Sequence, residues 1–140
     1  MNGYCDCPIR VRYAETDQMG VAYYANYLVW FEVGRAEFCR QQGFTYEQVE
    51  RETGSYLIVV DARCRYRRPL RYDDAFLVRT RLKAFRRRMV TFSYLLLDGA
   101  GETIYAEGET THVVTGPDGR PKSFPPQYGK LLVGANRRNP

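Results

Sequence analysis

From Tyr56 to Thr115 the chain alternates between apolar and polar residues with a period of two. This alternation is typical of half-buried strands. It predicts four successive strands, at about 56–67, 76–83, 89–97 and 102–115, with Gly108 marking a bulge or a bend in the last one. Because short links join the strands, we expect them to pair as one antiparallel sheet.

In the first half of the chain, the spacing of the apolar residues changes from the period of a strand to that of a helix. Residues 9–13 alternate like a strand, and then apolar residues recur at helical spacing from about Ala25 to Gln42. Gly43 is suited to end that long helix. Thr45 and Gln48 form a capping-box pattern that begins a short helix ending near Gly54. The order of elements predicts an α+β fold in which the sheet packs on the long helix.

Size and composition indicate one folded domain over residues 1–140. The chain is 44% hydrophobic and 14% aromatic, far from the composition of a disordered protein. We expect no secretion signal, because the first residues lack a basic region followed by an apolar run, and the apolar runs are shorter than the roughly 20 residues of a membrane span. We therefore expect a cytoplasmic protein with no membrane span.

A net charge of +5 and a pI near 9.1 favour a polyanionic partner. Arginines cluster at 63–68 and, with Lys83, at 83–88. Either cluster is consistent with a solvated face, with bidentate phosphate binding, or with contacts to single-stranded nucleic acid through interleaved tyrosines. Charge alone leaves these alternatives open.

Few motifs for metal or nucleophilic chemistry are present. Cys5 and Cys7 are too close for a paired zinc knuckle, and Cys39 and Cys64 have the character of small buried hydrophobic residues. We expect no metal site. The single histidine, His112, lies on a predicted strand among apolar residues, so we expect it to be a partly buried residue with its hydrogen bonds satisfied.

Asp17 is the residue best placed for chemistry. It follows the first strand and precedes the long helix, whose unpaired N–H groups can stabilise a developing oxyanion. The alternative is that Asp17 only caps the helix, a common role for aspartate at such a junction. Glu15 is a weaker candidate, because it fits the end of the strand on the solvent side.

The segment from Tyr13 to Arg35 contains Glu-Thr-Asp, Met-Gly-Val, Tyr-x-x-Asn-Tyr and Trp-Phe-Glu. These elements resemble the 4-hydroxybenzoyl-CoA thioesterase family of hotdog-fold proteins, and most of all its Tol-Pal-associated acyl-CoA thioesterase branch. Residues 66–74 and the Gly108-x-Thr-x-His112 strand also resemble family positions, so the likeness covers most of the chain.

The resemblance implies a hotdog fold, with a five-stranded antiparallel sheet wrapped around a central helix. It also implies a homodimer or homotetramer with active sites at subunit interfaces. The implied activity is hydrolysis of an acyl-CoA thioester to a free carboxylate and CoA, with no cofactor beyond the substrate and no nucleic-acid partner.

The resemblance also assigns roles to individual residues. Asp17 is implied to be the nucleophile or general base, and the backbone N–H near Tyr24 the oxyanion donor. Asn26 and Tyr27 are implied to line the acyl pocket. The triplet Arg86, Arg87 and Arg88 resembles the basic connection that holds CoA phosphates in relatives.

Tyr24 departs from the family pattern, because many members of this branch have histidine there. A side-chain role for that histidine is absent from this chain. An alternative function is therefore a basic binding module that holds nucleic acid or an acyl thioester without hydrolysing it. Acyl preference, dimer against tetramer, and anhydride against general-base chemistry do not follow from the sequence.

Overall fold

The computed structural model describes residues 3–134, which form five strands and three α-helices. The strands are β1 (Tyr4–Arg10), β2 (Tyr56–Tyr66), β3 (Ala75–Arg86), β4 (Met89–Leu97) and β5 (Ile104–Thr115). The helices are α1 (Asn26–Gln41), α2 (Tyr46–Thr53) and α3 (Pro126–Gly134), and a short 3₁₀ turn spans Tyr13–Glu15.

All strand pairs are antiparallel, in the order β1-β3-β4-β5-β2. Helix α1 packs against this sheet through a buried face that contains Tyr27, Trp30, Phe31 and Phe38. The Phe31 ring stacks on Tyr94 of β4 with centroids 4.3 Å apart. The hotdog architecture expected from the sequence is confirmed.

Gly34 sets the distance between α1 and the sheet. A Cβ atom built on it would lie 2.5 Å from Thr80 Oγ1 and 2.6 Å from Val78 Cγ1 of β3. Only a residue without a side chain allows this approach. The helix can therefore lie close against the sheet, with Phe31 and Phe38 fully buried.

The predicted helix ends are also observed. The Thr45 hydroxyl accepts a hydrogen bond from the Gln48 N–H at 3.1 Å, which is the N-cap bond of α2. Gly54 ends that helix in the left-handed region, at φ 63°. The bounds of α1 differ from the prediction by one residue at each end.

Two local predictions were wrong. The first strand lies at Tyr4–Arg10 instead of 9–13, because the Glu15 carboxylate binds the Arg12 N–H and holds the following residues in a turn. Of the bulge or bend expected at Gly108, the bulge is absent, since the pairing of Gly108 with both neighbouring strands is regular. A Cβ atom there would lie 2.5 Å from the Phe31 ring, so Gly108 instead makes room for that side chain.

Carboxylates neutralise part of the basic surface. Arg63 pairs with Glu109, Arg67 with Glu107, and Arg79 with Asp6. These arginines are therefore less available to a polyanion than the sequence suggests. No helix within residues 3–134 has both the length and the apolar character needed to cross a membrane.

Candidate functional site

Asp17 lies in a tight turn between β1 and α1. Its Oδ1 accepts the Met19 N–H at 2.9 Å, and its backbone carbonyl accepts the Gly20 N–H at 3.0 Å. Its Oδ2 accepts no hydrogen bond from any residue that the structure describes. The N-cap of α1 is Ala25, which has no side-chain cap, so Asp17 does not cap this helix. One carboxylate oxygen is anchored and the other is available.

Tyr24 presents an unused backbone donor just before α1. The neighbouring N–H groups are engaged, since Tyr23 donates to the Glu15 carbonyl at 2.8 Å and Asn26 donates to the Tyr23 carbonyl at 2.9 Å. The Tyr24 N–H donates to no acceptor within the described part of the chain, while its carbonyl accepts the Tyr66 hydroxyl at 3.0 Å. An unpaired N–H at a helix N-terminus suits a negatively charged oxygen.

Asp17 and Tyr24 line the same pocket, which has a volume of about 340 Å³. Its other walls are largely apolar or aromatic, and two guanidinium groups join them. The remaining lining residues are Met19, Val21, Ala22, Tyr27, Tyr66, Arg67, Arg68 and Pro69. The lining of one mainly apolar space therefore includes Asp17, with its available carboxylate oxygen, and Tyr24, with its unpaired backbone N–H.

Glu15 organises this loop from inside the protein. It is only 6% exposed, and its carboxylate accepts hydrogen bonds from the Arg12 N–H at 2.8 Å and from Trp30 Nε1 at 3.1 Å. Burial raises the pKa of Glu15, but the bonds from Arg12 and Trp30 outweigh burial and hold the pKa below its ordinary value. The expectation that Glu15 faces solvent was wrong. A buried tryptophan N–H that needs an acceptor is the signal that points to it.

The model of the thioesterase-like superfamily matches residues 11–132 of this chain. The chain belongs to this superfamily.

Individual relatives agree with this membership. The chain is 43% identical to the putative acyl-CoA thioesterase YneP of Bacillus subtilis over 67% of each protein. It is 29% identical to the acyl-CoA thioester hydrolase YbgC of Escherichia coli O157:H7, over 84% of this chain and 87% of YbgC. Its structure superposes on the DHNA-CoA thioesterase of Staphylococcus aureus with a TM-score of 0.88 and 28% identity, covering 97% and 93% of the two chains.

Asn26 and Tyr27 occupy different environments in this member of the thioesterase-like superfamily. The Asn26 side-chain amide donates to the Glu15 carbonyl at 2.8 Å, so it is used to hold the loop. Tyr27 is buried in the pocket wall, where its ring lies 4.7 Å from that of Tyr66. Burial raises the pKa of the Tyr27 hydroxyl, which keeps it neutral. Asn26 therefore positions the loop, and Tyr27 forms part of the pocket wall.

The structure does not bring Arg86, Arg87 and Arg88 to Asp17 within one chain. The pocket lies beside the start of β3, where the Ala22 N–H donates to Leu70. The arginine triplet lies at the opposite end of that strand, which is roughly 35 Å long at the usual rise per residue. The arginines on this pocket are instead Arg67, which pairs with Glu107 at 2.5 Å, and Arg68, which has no ion pair in the described residues.

His112 is not part of this site. It is 1% exposed, and its Nε2 lies 2.9 Å from Thr110 Oγ1. Burial, together with the charge of Arg35, lowers its pKa to about 4, so the ring is neutral near pH 7. His112 is more deeply buried than the sequence suggested. Its hydrogen bonds are only half satisfied, because Nδ1 has no partner.

Cys5, Cys7, Cys39 and Cys64 are all free thiols. Between residues 3 and 134 there is no group of three or more His, Cys, Asp and Glu side chains placed to hold a metal ion. The expectation of a reaction without metal or cofactor stays a prediction.

Proposed function

We propose that this chain hydrolyses acyl-CoA thioesters to a free carboxylate and CoA. The observation that carries this proposal is the shared pocket of Asp17 and Tyr24, which offers a free carboxylate oxygen and an unused N–H group. Membership of the thioesterase-like superfamily supports it, as do relatives that bear the name acyl-CoA thioesterase.

The Tyr24 N–H is proposed to bind the thioester carbonyl oxygen. As the carbonyl carbon becomes tetrahedral, negative charge develops on this oxygen, and a fixed donor stabilises the charged state more than the neutral one. The helix dipole of α1 adds to this effect. The Tyr66 hydroxyl, bound to the Tyr24 carbonyl, holds the peptide that carries the donor.

Asp17 is proposed to supply the reactive carboxylate through its free oxygen. In one route it attacks the carbonyl carbon, the C–S bond breaks, and water then hydrolyses the mixed anhydride. In the other it removes a proton from a water molecule, and that water attacks. Both routes release CoA as a thiolate that takes up a proton, and both need an ionised Asp17.

A second copy of the chain is proposed to complete the site. Strand β2 is an edge of the sheet and exposes Ile58, Val59 and Val60, each at least 46% accessible. Helix α1 adds the exposed aliphatic residues Leu28, Val29 and Val33. Exposed apolar residues on an edge strand favour pairing with another chain. We therefore propose a homodimer, with association into a tetramer as a further step.

Dimer formation would also allow the arginine triplet to bind substrate. Arg86, Arg87 and Arg88 are exposed and form no ion pair with any described residue. They lie too far from Asp17 of their own chain to bind the same CoA molecule, so they are proposed to hold CoA phosphates at the site of a partner protomer. A cytoplasmic location belongs to this proposal too, since it is where the sequence predicts the protein to work.

Asp17→Asn tests the proposed chemistry. Thiol release is measured on short, long and aromatic acyl-CoA substrates, and a loss of at least about 100-fold in kcat is expected. Asp118→Asn is a matched control, because Asp118 Oδ1 accepts the N–H two residues later at 3.0 Å, as Asp17 does. Full activity of Asp17→Asn would falsify the mechanism. Absence of turnover by the wild type on every substrate would contradict the proposed function itself.

A further inference from the structure

A second, more enclosed cavity lies between α1, α2, the start of β2 and the end of β5. Its volume is about 200 Å³, and it shares no lining residue with the Asp17 pocket. Its polar lining comes from Arg35, Tyr46, Ser55 and His112, together with the carboxylates of Glu32 and Glu50. We call this space the Arg35 cavity.

Three buried polar atoms on the Arg35 cavity have no hydrogen-bond partner. They are Tyr46 Oη, Ser55 Oγ and His112 Nδ1. Ser55 and His112 are each only 1% exposed. Leaving a buried donor or acceptor unpaired costs about 1 to 3 kcal/mol, and proteins rarely tolerate several such atoms at one place. A polar molecule in this cavity would give all three atoms a partner.

One direction of a hydrogen-bond chain would place the proton of His112 on Nδ1, and the proposed site uses that direction. Arg35 can only donate, and its guanidinium lies near the Tyr94 hydroxyl. Tyr94 in turn lies 2.5 Å from Thr110 Oγ1, which lies 2.9 Å from His112 Nε2. With each hydroxyl donating onward, Nε2 becomes an acceptor. The proton of the neutral ring is then on Nδ1, which is the unpartnered nitrogen.

In this tautomer the polar groups of Arg35, Tyr46, Ser55 and His112 on the Arg35 cavity can all donate, whereas the two exposed residues Glu32 and Glu50 carry carboxylates. The His112 Nδ1–H joins the hydroxyls of Tyr46 and Ser55 and the guanidinium of Arg35. Arg35 makes no ion pair of 4.0 Å or less with a described carboxylate, so its charge is not locally neutralised by a close contact. Glu32 and Glu50 are exposed, and water and salt weaken their repulsion of an anion.

We propose that the Arg35 cavity binds a small oxyanion, either a carboxylate or inorganic phosphate. An oxyanion supplies several acceptors to converging donors and balances the charge of Arg35. Since one water occupies about 30 Å³ in the liquid, the cavity has room for an anion of this size. This site is independent of the proposed thioesterase chemistry, and Asp17→Asn leaves it unchanged.

The single histidine of the chain makes the test direct. In untagged protein labelled with ¹⁵N at the imidazole, every histidine NMR signal comes from His112. The protein is titrated at pH 7 with sodium acetate and, separately, with sodium phosphate, while sodium chloride keeps the ionic strength constant. We expect a neutral ring protonated at Nδ1, and a saturable shift of its signals with at least one of the two anions.

The two titrations distinguish the sources of the anion. Saturation by acetate alone assigns a carboxylate site, saturation by phosphate alone assigns a phosphate site, and saturation by both assigns a general oxyanion site. Signals that do not move with either anion overturn the proposal. So does a ring protonated at Nε2 in the free protein, because Nδ1 would then repel an anion.

Ser55→Ala removes one donor from the Arg35 cavity and retains the small size of the residue. We expect it to raise the dissociation constant about tenfold. Ser123→Ala is the matched control, since Ser123 is exposed and lines neither this cavity nor the Asp17 pocket. Equal dissociation constants for Ser55→Ala and the wild type would show that the anion binds elsewhere and would exclude the proposed site.

Discussion

The indole N–H of Trp30 donates to the buried carboxylate of Glu15 across 3.1 Å, and this bond joins α1 to the loop that carries Asp17. Trp30→Phe removes the donor while retaining an aromatic ring. We expect the free energy of unfolding in urea to fall by about 1 to 3 kcal/mol, because a buried charged acceptor loses a partner and a small space opens. An unchanged urea midpoint would show that this bond does not hold the loop.

The lowered pKa of Glu15 predicts a specific dependence of stability on pH. A carboxylate whose pKa is below its ordinary value of 4.5 stabilises the fold above that pH, and this contribution is lost as the pH falls through the folded-state pKa. Glu15→Gln removes this ionisable group. Urea unfolding from about pH 3 to pH 7 should show a difference in stability between wild type and Glu15→Gln that shrinks toward acid. A constant difference would contradict the assignment.

Tyr66→Phe tests how the Tyr24 peptide is held. It removes the hydroxyl that donates to the Tyr24 carbonyl at 3.0 Å and leaves the ring against Tyr27. We expect kcat for thiol release to fall about threefold to tenfold, in proportion to the loss of one exposed hydrogen bond. Tyr72→Phe, at an exposed tyrosine outside the pocket, is the control. The prediction is wrong if both variants retain wild-type kcat.

Gly34→Ala tests the close approach of α1 to β3. Alanine favours helix by about 1 kcal/mol over glycine, yet its methyl group would overlap Val78 and Thr80. We expect a net destabilisation of about 1 to 3 kcal/mol in urea. Gly99→Ala places a methyl group in open space and should change little. A stabilised Gly34→Ala would mean that the sheet can move away from the helix at small cost.

Val60→Glu tests the proposed dimer. Val60 is 54% exposed on the edge strand β2, so a charge there leaves a single chain stable but opposes pairing with a second copy. Light scattering after gel filtration should show the mass of a dimer or tetramer for the wild type and of a monomer for the variant. Glu102→Gln, in an exposed turn, should retain the wild-type mass. A monomeric wild type would reject the dimer directly.

Sequence periodicity predicted strands β2 to β5 and helices α1 and α2 well, because their patterns are local. Thr45, Gln48 and Gly54 act within one short helix, and their roles follow from neighbours in the chain. The separation of Arg86 from Asp17 was not predictable in this way, since it depends on which end of β3 meets the loop after β1. The alternation of apolar and polar residues along one strand does not determine which other strand will pair with it.

The loop around Asp17 shows a second limit of prediction from sequence periodicity. Asp17 was identified from its place between strand and helix, but its hydrogen bond to Met19 depends on a turn that periodicity does not describe. The burial of Glu15 does not follow from the sequence pattern for a related reason. Its partner Trp30 lies fifteen residues later, on the buried face of α1, and only the folded chain brings the two together.

The donor proposed to stabilise the oxyanion belongs to the peptide backbone at Tyr24, and every residue except proline has it. The side chain at this position is free to change without removing that donor, and the Tyr24 side chain is 60% exposed. Mutations here are therefore expected to alter which acyl groups fit before they abolish hydrolysis. Substitutions at position 24 can therefore change the substrate preference of the enzyme during evolution while the backbone donor is retained.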